Sequence, residues 1–164
     1  GRPRLHLMYD RVLVRFGVMS RAFHHLTVRG PRRRSTHFER VAAALESLDE
    51  VISVRMGMWC KPSCSNNILQ GYAMHPDAKD GPAMRAAVAA LGRLQKPSGV
   101  WTGAPFYPTL YAMSNCVSKQ AAKQVRIALA KCARTQKKDG SWGGKNRQHD
   151  TYMVLEAMRR SGEI

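Results

Sequence analysis

The chain has 164 residues, of which 44% are hydrophobic, and its 27 Lys and Arg against 11 Asp and Glu leave a formal net charge of +16. This length supports one domain or a piece of a larger one, and the apolar content argues against a disordered chain. Because no apolar run approaches the roughly 18 residues of a membrane-spanning helix, we expect no membrane span.

Residues 1–40 form a basic N-terminal segment that contains half of the excess positive charge. Apolar residues at steps of three and four predict a helix over residues 5–28, which Gly30 and Pro31 end. Nucleic acid is the usual partner of so basic a segment, so its arginines are predicted to bind RNA phosphates. These arginines are Arg2, Arg4, Arg11, Arg15, Arg21, Arg29, Arg32, Arg33 and Arg34. Because the first residue is Gly rather than Met, we expect a processed or incomplete end.

Residues 41–164 are predicted to form a domain of helical hairpins. A capping box at residues 36–39 precedes the first helix, and shorter and longer helices then alternate. No stretch alternates with a period of two, so the predicted class is all-α, built of stacked hairpins. Five helices are expected in its later part: over Asn67–Met74, from Pro82, over Tyr107–Cys116, from Ser118, and from His149 or Asp150. The last of them is predicted to have Tyr152, Val154, Leu155 and Met158 on its apolar side.

Three tryptophans follow helices at a nearly regular spacing. Gln95–Trp101 and Gln136–Trp142 both read Gln-x-x-x-Gly-x-Trp, and a weaker copy ends at Trp59. The tryptophans are 42 and 41 residues apart, a period that is typical of helical repeats.

The repeated motif resembles the QW repeats of squalene and oxidosqualene cyclases and the related repeats of protein prenyltransferase β subunits. The resemblance covers residues 41–162 in three units, the first of which has Ser53 in place of the glutamine. It implies an α/α toroid in which the motif residues tie consecutive outer helices together; the alternative is that they line a ligand pocket. Three and a half hairpins cannot close a ring, so we expect an incomplete toroid or a solenoid. The motif residues are Trp59, Gln95, Gly99, Trp101, Gln136, Gly140 and Trp142.

A weaker resemblance points to another helical repeat. Residues 65–73 and 152–155 are similar to the first helix of pentatricopeptide repeats, which bind RNA. That repeat has a period of about 35 residues, shorter than the spacing of the tryptophans in this chain.

The catalytic motifs of the resembled enzymes have no clear counterpart. No Asp-x-Asp-Asp acid motif occurs, and Asp150 stands at the position of the His zinc ligand of prenyltransferases, with His149 one residue early. Cys60 and Cys64 form only a weak metal candidate, because structural zinc needs four ligands. Cys116 and Cys132 are expected to be buried thiols, and the cysteines fit a reducing compartment. We therefore predict no catalytic residue, no metal and no cofactor, and leave open whether the chain is an enzyme.

These observations favour a non-catalytic helical-repeat component of a ribonucleoprotein, such as a ribosome of the mitochondrion or another organelle. Its partners would be RNA, rRNA foremost, and neighbouring protein subunits, with Lys137, Lys138, Lys145 and Arg147 adding phosphate contacts. The alternative is a lobe of a prenyltransferase- or terpene cyclase-like enzyme that acts on isoprenoids in a cavity lined by tyrosines. Those tyrosines are Tyr72, Tyr107, Tyr111 and Tyr152. A third possibility is a scaffold whose basic surface binds an acidic protein.

Overall fold

The computed structural model describes residues 62–75 and 78–164. The predicted basic segment 1–40, the weaker motif copy that ends at Trp59, and Cys60 lie outside the described residues. Within these residues the chain forms five α-helices and no strand, so the all-α class is confirmed for this part. The helices are α1 (Pro62–Met74), α2 (Pro82–Leu94), α3 (Phe106–Ser114), α4 (Lys119–Thr135) and α5 (Arg147–Ser161).

Local chemistry accounts for most helix ends. Pro82 occupies the first position of α2, where its missing N–H costs no hydrogen bond. The Ser118 side chain caps α4 by accepting a hydrogen bond from the Ala121 N–H at 3.1 Å. Gly162 ends α5 in the left-handed conformation, with φ of 72°. The predicted start of the first of these helices at Asn67 was wrong, because α1 begins five residues earlier at a proline.

The five helices lie in two rows. In one row α3 contacts both α1 and α5, and in the other α2 contacts α4. Contacts of α1 with α2, and of α4 with α3 and α5, join the rows. The core fills the space between them, with fully buried side chains that include Leu69, Tyr72, Val88, Leu91, Leu110, Met113 and Val154.

The apolar side of α5 differs from the one predicted. Met153, Val154 and Ala157 are buried, whereas Tyr152 is 46% exposed and Leu155 is 43% exposed. The Tyr152 ring still packs against Tyr111 of α3, with 6.2 Å between the ring centroids. The prediction failed because apolar residues occupy neighbouring positions around α5, and packing on α3 and α4 selects which of them are buried.

A buried glutamine of α4 joins the two helices of the second row. Gln124 is 4% exposed, and its Oε1 accepts a hydrogen bond from the Trp101 indole N–H at 3.1 Å. Its Nε2 donates to the Val88 carbonyl at 2.9 Å, and its own carbonyl accepts from Gln95 Nε2 at 2.8 Å. The first Gln-x-x-x-Gly-x-Trp copy, Gln95–Trp101, which we name turn 1, is thereby attached to α4.

We expect Gln124→Ala to lower the free energy of unfolding by about 1–3 kcal/mol, because the buried Trp101 N–H loses its acceptor. Urea unfolding of the purified chain measures this loss. The control is Gln120→Ala on the same helix, whose exposed side chain should contribute within about 0.5 kcal/mol. Equal losses for the two variants would contradict the role of Gln124 as the junction.

Candidate nucleic-acid interface

The second motif copy, Gln136–Trp142, which we name turn 2, repeats the backbone of turn 1. In turn 1 the Gly99 N–H donates to the Lys96 carbonyl at 2.9 Å, and in turn 2 the Gly140 N–H donates to the Lys137 carbonyl at 2.9 Å. Both glycines have positive φ, 94° and 80°, a conformation that side chains with a Cβ rarely adopt. The repeated sequence thus produces a repeated turn.

The surroundings of the two turns differ. Gly99 is buried against α4, and a Cβ placed on it would lie 2.8 Å from the Ile127 carbonyl oxygen. Gly140 is exposed, and a Cβ there would meet only Gln136 Nε2 of its own turn, at 3.9 Å. Gln136 also bonds within its own turn, donating to the Gly140 carbonyl at 2.9 Å. In the described part of the chain, α4 therefore packs on Gly99 of turn 1, and no helix packs on Gly140 of turn 2.

Turn 2 and the first half of α5 enclose an open groove of about 1250 Å³. Most of the residues that line it are polar or charged, and they include the cationic Lys145 and Arg147 together with His149. Asp139 of turn 2 lies on one side, and the partly exposed ring of Tyr152 contributes apolar surface. The N-terminus of α5 also lines the groove, which adds the positive end of a helix dipole.

Two sets of contacts hold turn 2 in place. The Trp142 backbone N–H donates to Thr151 Oγ1 of α5 at 3.0 Å, and its indole N–H donates to the Cys132 carbonyl of α4 at 2.8 Å. Asp139 accepts hydrogen bonds from the Ser141 hydroxyl at 2.6 Å and the Ser141 N–H at 3.1 Å. These bonds, with the nearby Arg147 guanidinium, lower the pKa of Asp139. The carboxylate therefore stays charged at neutral pH, where it forms a 2.8 Å ion pair with Arg147.

Two of the four cations predicted to bind RNA in the described part line this groove. Lys145 and Arg147 line it, and Lys137 and Lys138 are exposed on turn 2, which forms one wall. Residues 78–164 contain 15 Lys and Arg but five Asp and Glu, so the positive field extends beyond the groove. The nine arginines predicted as contacts in residues 1–34 lie outside the described residues.

Sequence reasoning missed a basic ridge on α4. Lys119, Lys123 and Arg126 are exposed and follow one another at four and three residues, which places them on one helix face. The spacing of these three cations in the sequence could have predicted the ridge. Gln124 was also missed, although a glutamine inside the apolar stripe of an amphipathic helix is an unusual residue to bury.

The structure describes Asp150, Cys116 and Cys132, which the sequence analysis singled out. The Asp150 carboxylate fills the space that a side chain on Gly143 would need. Burial raises the pKa of Cys116 to about 12 and that of Cys132 to about 11, so both thiols are protonated at neutral pH. In residues 62–75 and 78–164, no group of three or more His, Cys, Asp or Glu is arranged to hold a metal ion. The side chain of Cys64, in the first turn of α1, lies outside the description.

No family model, no curated protein and no solved structure matches this chain. Among the helices that the structure describes, none combines the length and the apolar character that crossing a membrane requires. The class that the fold and the groove define is a strongly basic protein whose described part is all-α. An open cationic groove lies between its turn 2 and α5.

Alanine substitutions of the two turn glycines are expected to differ in cost. Gly140→Ala should destabilise by about 1–2 kcal/mol, the cost of a positive φ for an L-residue. Gly99→Ala should cost a further 1–3 kcal/mol, roughly the penalty for overpacking, because the new methyl would press on the Ile127 backbone. Thermal or urea unfolding of both variants measures the difference, and equal losses would mean that α4 does not cover turn 1.

Proposed function

We propose that this protein is a non-catalytic helical-repeat component of a ribonucleoprotein, such as an organellar ribosome, where it binds RNA phosphates and neighbouring proteins. The observation that carries the proposal is the groove between turn 2 and α5. Lys145, Arg147 and the N-terminus of α5 line the same open space, and Lys137 and Lys138 are exposed on the turn that supplies Asp139 and Ser141 to its lining. Phosphate groups bind to lysine, arginine and helix N-termini of this kind.

The size and lining of the groove favour a polymer over a small ligand. Its volume of about 1250 Å³ exceeds the roughly 300–1,000 Å³ of most small-molecule pockets, and it is open to solvent. The exposed part of the Tyr152 ring offers a surface on which an unpaired base can stack. Of the four tyrosines expected to line an isoprenoid cavity, this one alone borders the groove, and Tyr72 is buried in the core.

The proposed architecture is an incomplete α/α toroid or solenoid of stacked hairpins. Support comes from the two rows of helices, the repeated turns, and the attachment of turn 1 to α4 through Gln124. The basic segment 1–40 would add phosphate contacts to those of the groove. We place the protein in a reducing compartment, in the mitochondrion or another organelle, which suits the free thiols of Cys116 and Cys132.

Removing two groove cations should weaken RNA binding and its dependence on salt. For the double variant Lys145→Ala/Arg147→Ala we expect about a tenfold loss of affinity for a fluorescent single-stranded RNA at 50 mM KCl. The slope of log K against log salt should fall by about 1.4 in magnitude, because about 0.7 counterions are released per contacted phosphate. Fluorescence anisotropy between 50 and 300 mM KCl measures both quantities.

The matched control is Lys79→Ala/Lys96→Ala, which removes the same charge from exposed positions away from the groove. If the control loses as much affinity as the groove variant, the binding is a property of net charge and not of this site. If the unchanged protein binds RNA with no dependence on salt, the proposed phosphate contacts do not exist.

Replacing Asp139 should have the opposite effect on RNA. In the variant Asp139→Asn the new amide oxygen can still accept the Ser141 hydrogen bonds, but the Arg147 guanidinium loses its charged partner. The groove gains one unit of positive charge, so we expect RNA affinity at 50 mM KCl to rise about two- to fivefold. The same anisotropy titration tests this, with circular dichroism to show an unchanged fold. Weaker binding by the folded variant would place the RNA elsewhere.

A further inference from the structure

We propose that the uncovered side of α4 and turn 2 is a docking surface for an α-helix of an acidic partner protein, bound in the way that turn 1 binds α4. The inference deepens the protein-contact part of the proposed function and rests on that part. The surface lies beside the groove and shares Arg147 with it.

The uncovered surface repeats the chemistry of a surface that the chain itself covers. On α2 and turn 1, Ala89, Gly92 and Gln95 are half-buried and Gly99 is buried, because α4 packs over them. A Cβ placed on Gly92 would lie 3.1 Å from Gln124 Nε2. The residues that follow these four after 41 positions are small or amidic again, and all are exposed: Ala130, Ala133, Gln136 and Gly140.

The covered copy shows what kind of element the surface accepts. The bound element is a helix that contains the buried Gln124. The Gln124 side chain accepts a hydrogen bond from the Trp101 indole N–H, and the Gln124 backbone carbonyl accepts one from the Gln95 side-chain amide. The backbone of this helix near Ile127 comes close to Gly99 of turn 1, which has no side chain to obstruct it.

Because Gln136 and Gly140 keep the same turn geometry, the Gln136 amide can donate to a backbone carbonyl of a docked helix, as the Gln95 amide does to that of Gln124. A glutamine of that helix can donate to the Leu129 carbonyl, which lies 41 positions after Val88. The Trp142 indole N–H makes no such contact, because it donates to the Cys132 carbonyl.

The charge around the uncovered surface selects an acidic helix. In the covered copy, Lys131 of α4 lies over the Phe106 ring, 5.2 Å from its centroid. The residue 41 positions after Phe106 is Arg147, so a lysine at this point of a docked helix would face a cation. Glutamate there would face an opposite charge, and Lys137 and Lys138 favour acidic residues beside it. A second copy of this chain fits poorly, since both molecules carry a net charge of +16.

The probe is a synthetic peptide with the sequence of residues 118–135, in which the exposed Lys119, Lys123, Arg126 and Arg134 are replaced by Glu so that the helix is acidic. A side-chain crosslink between two of its solvent-facing positions holds it helical. In one version Lys131 is replaced by Glu, and in a second Gln124 is also replaced by Leu. We expect the Lys131→Glu peptide to bind the full chain about tenfold more tightly than the unchanged peptide in calorimetric titrations. The added Gln124→Leu change should weaken this binding about fivefold, because the peptide loses the side-chain hydrogen bond to the α4 backbone that corresponds to the one from Gln124 to Val88.

Substitutions in the protein make the test specific. Arg147→Phe restores the residue type of the covered copy and should reverse the preference, so that the unchanged peptide binds better than the Lys131→Glu peptide. Ala133→Tyr adds no charge at an exposed position and should weaken peptide binding at least tenfold with an unchanged urea midpoint. The same variant should keep its RNA affinity, which separates this surface from the groove.

The proposal is overturned if the Lys131→Glu peptide does not bind, or if a crosslinked scrambled peptide of equal charge binds as well. It is also overturned if Ala133→Tyr leaves peptide affinity unchanged, or if it lowers RNA affinity as much as peptide affinity, since the surface would then belong to RNA. Peptide binding by a protein that shows no salt-dependent RNA binding would support this inference and contradict the proposed RNA contacts.

Discussion

The packing of the second helical row depends on hydrogen bonds to one buried side chain. An uncharged amide can be buried at low cost only when its oxygen and nitrogen both find partners, and Gln124 finds them in Trp101 and Val88. Its backbone carbonyl takes a third bond, from Gln95. These bonds lie between segments that are 23 to 36 residues apart, so they set the position of α4 against α2 and turn 1.

The same turn serves two purposes at its two positions. Turn 1 is an internal joint, because α4 covers it, and turn 2 is part of the surface, although its backbone hydrogen bonds are the same. The two tryptophans illustrate the difference. The Trp142 indole N–H donates to the Cys132 carbonyl of α4, the helix that precedes turn 2, whereas the Trp101 indole N–H donates to Gln124 of α4, which comes after turn 1 in the chain. Among the described residues, none covers Gln136 and Gly140, which are exposed.

Charge and shape together explain why this end of the molecule is the functional candidate. The positions that hold Ala104 and Phe106 beside turn 1 hold Lys145 and Arg147 beside turn 2. Polar groups at the end of a helical array keep it soluble, and here they are predominantly cations. An excess of cations repels itself, and a polyanion or an acidic protein relieves that repulsion by binding. We propose the groove and the exposed side of α4 as adjacent surfaces for two such partners.

The sequence by itself determined the helices, their turns and the positive charge, because these depend on residues close together in the chain. Apolar periodicity, Pro82, Ser118 and Gly162 were sufficient for most of the helix bounds. Tertiary structure alone decided that α4 covers turn 1, that Gln124 is the junction, and that Tyr152 and Leu155 are half exposed. It also placed two of the predicted RNA-binding cations, Lys145 and Arg147, in one groove with Asp139 and Tyr152. Such facts depend on which distant segments pack together, and local patterns of polarity do not specify that pairing.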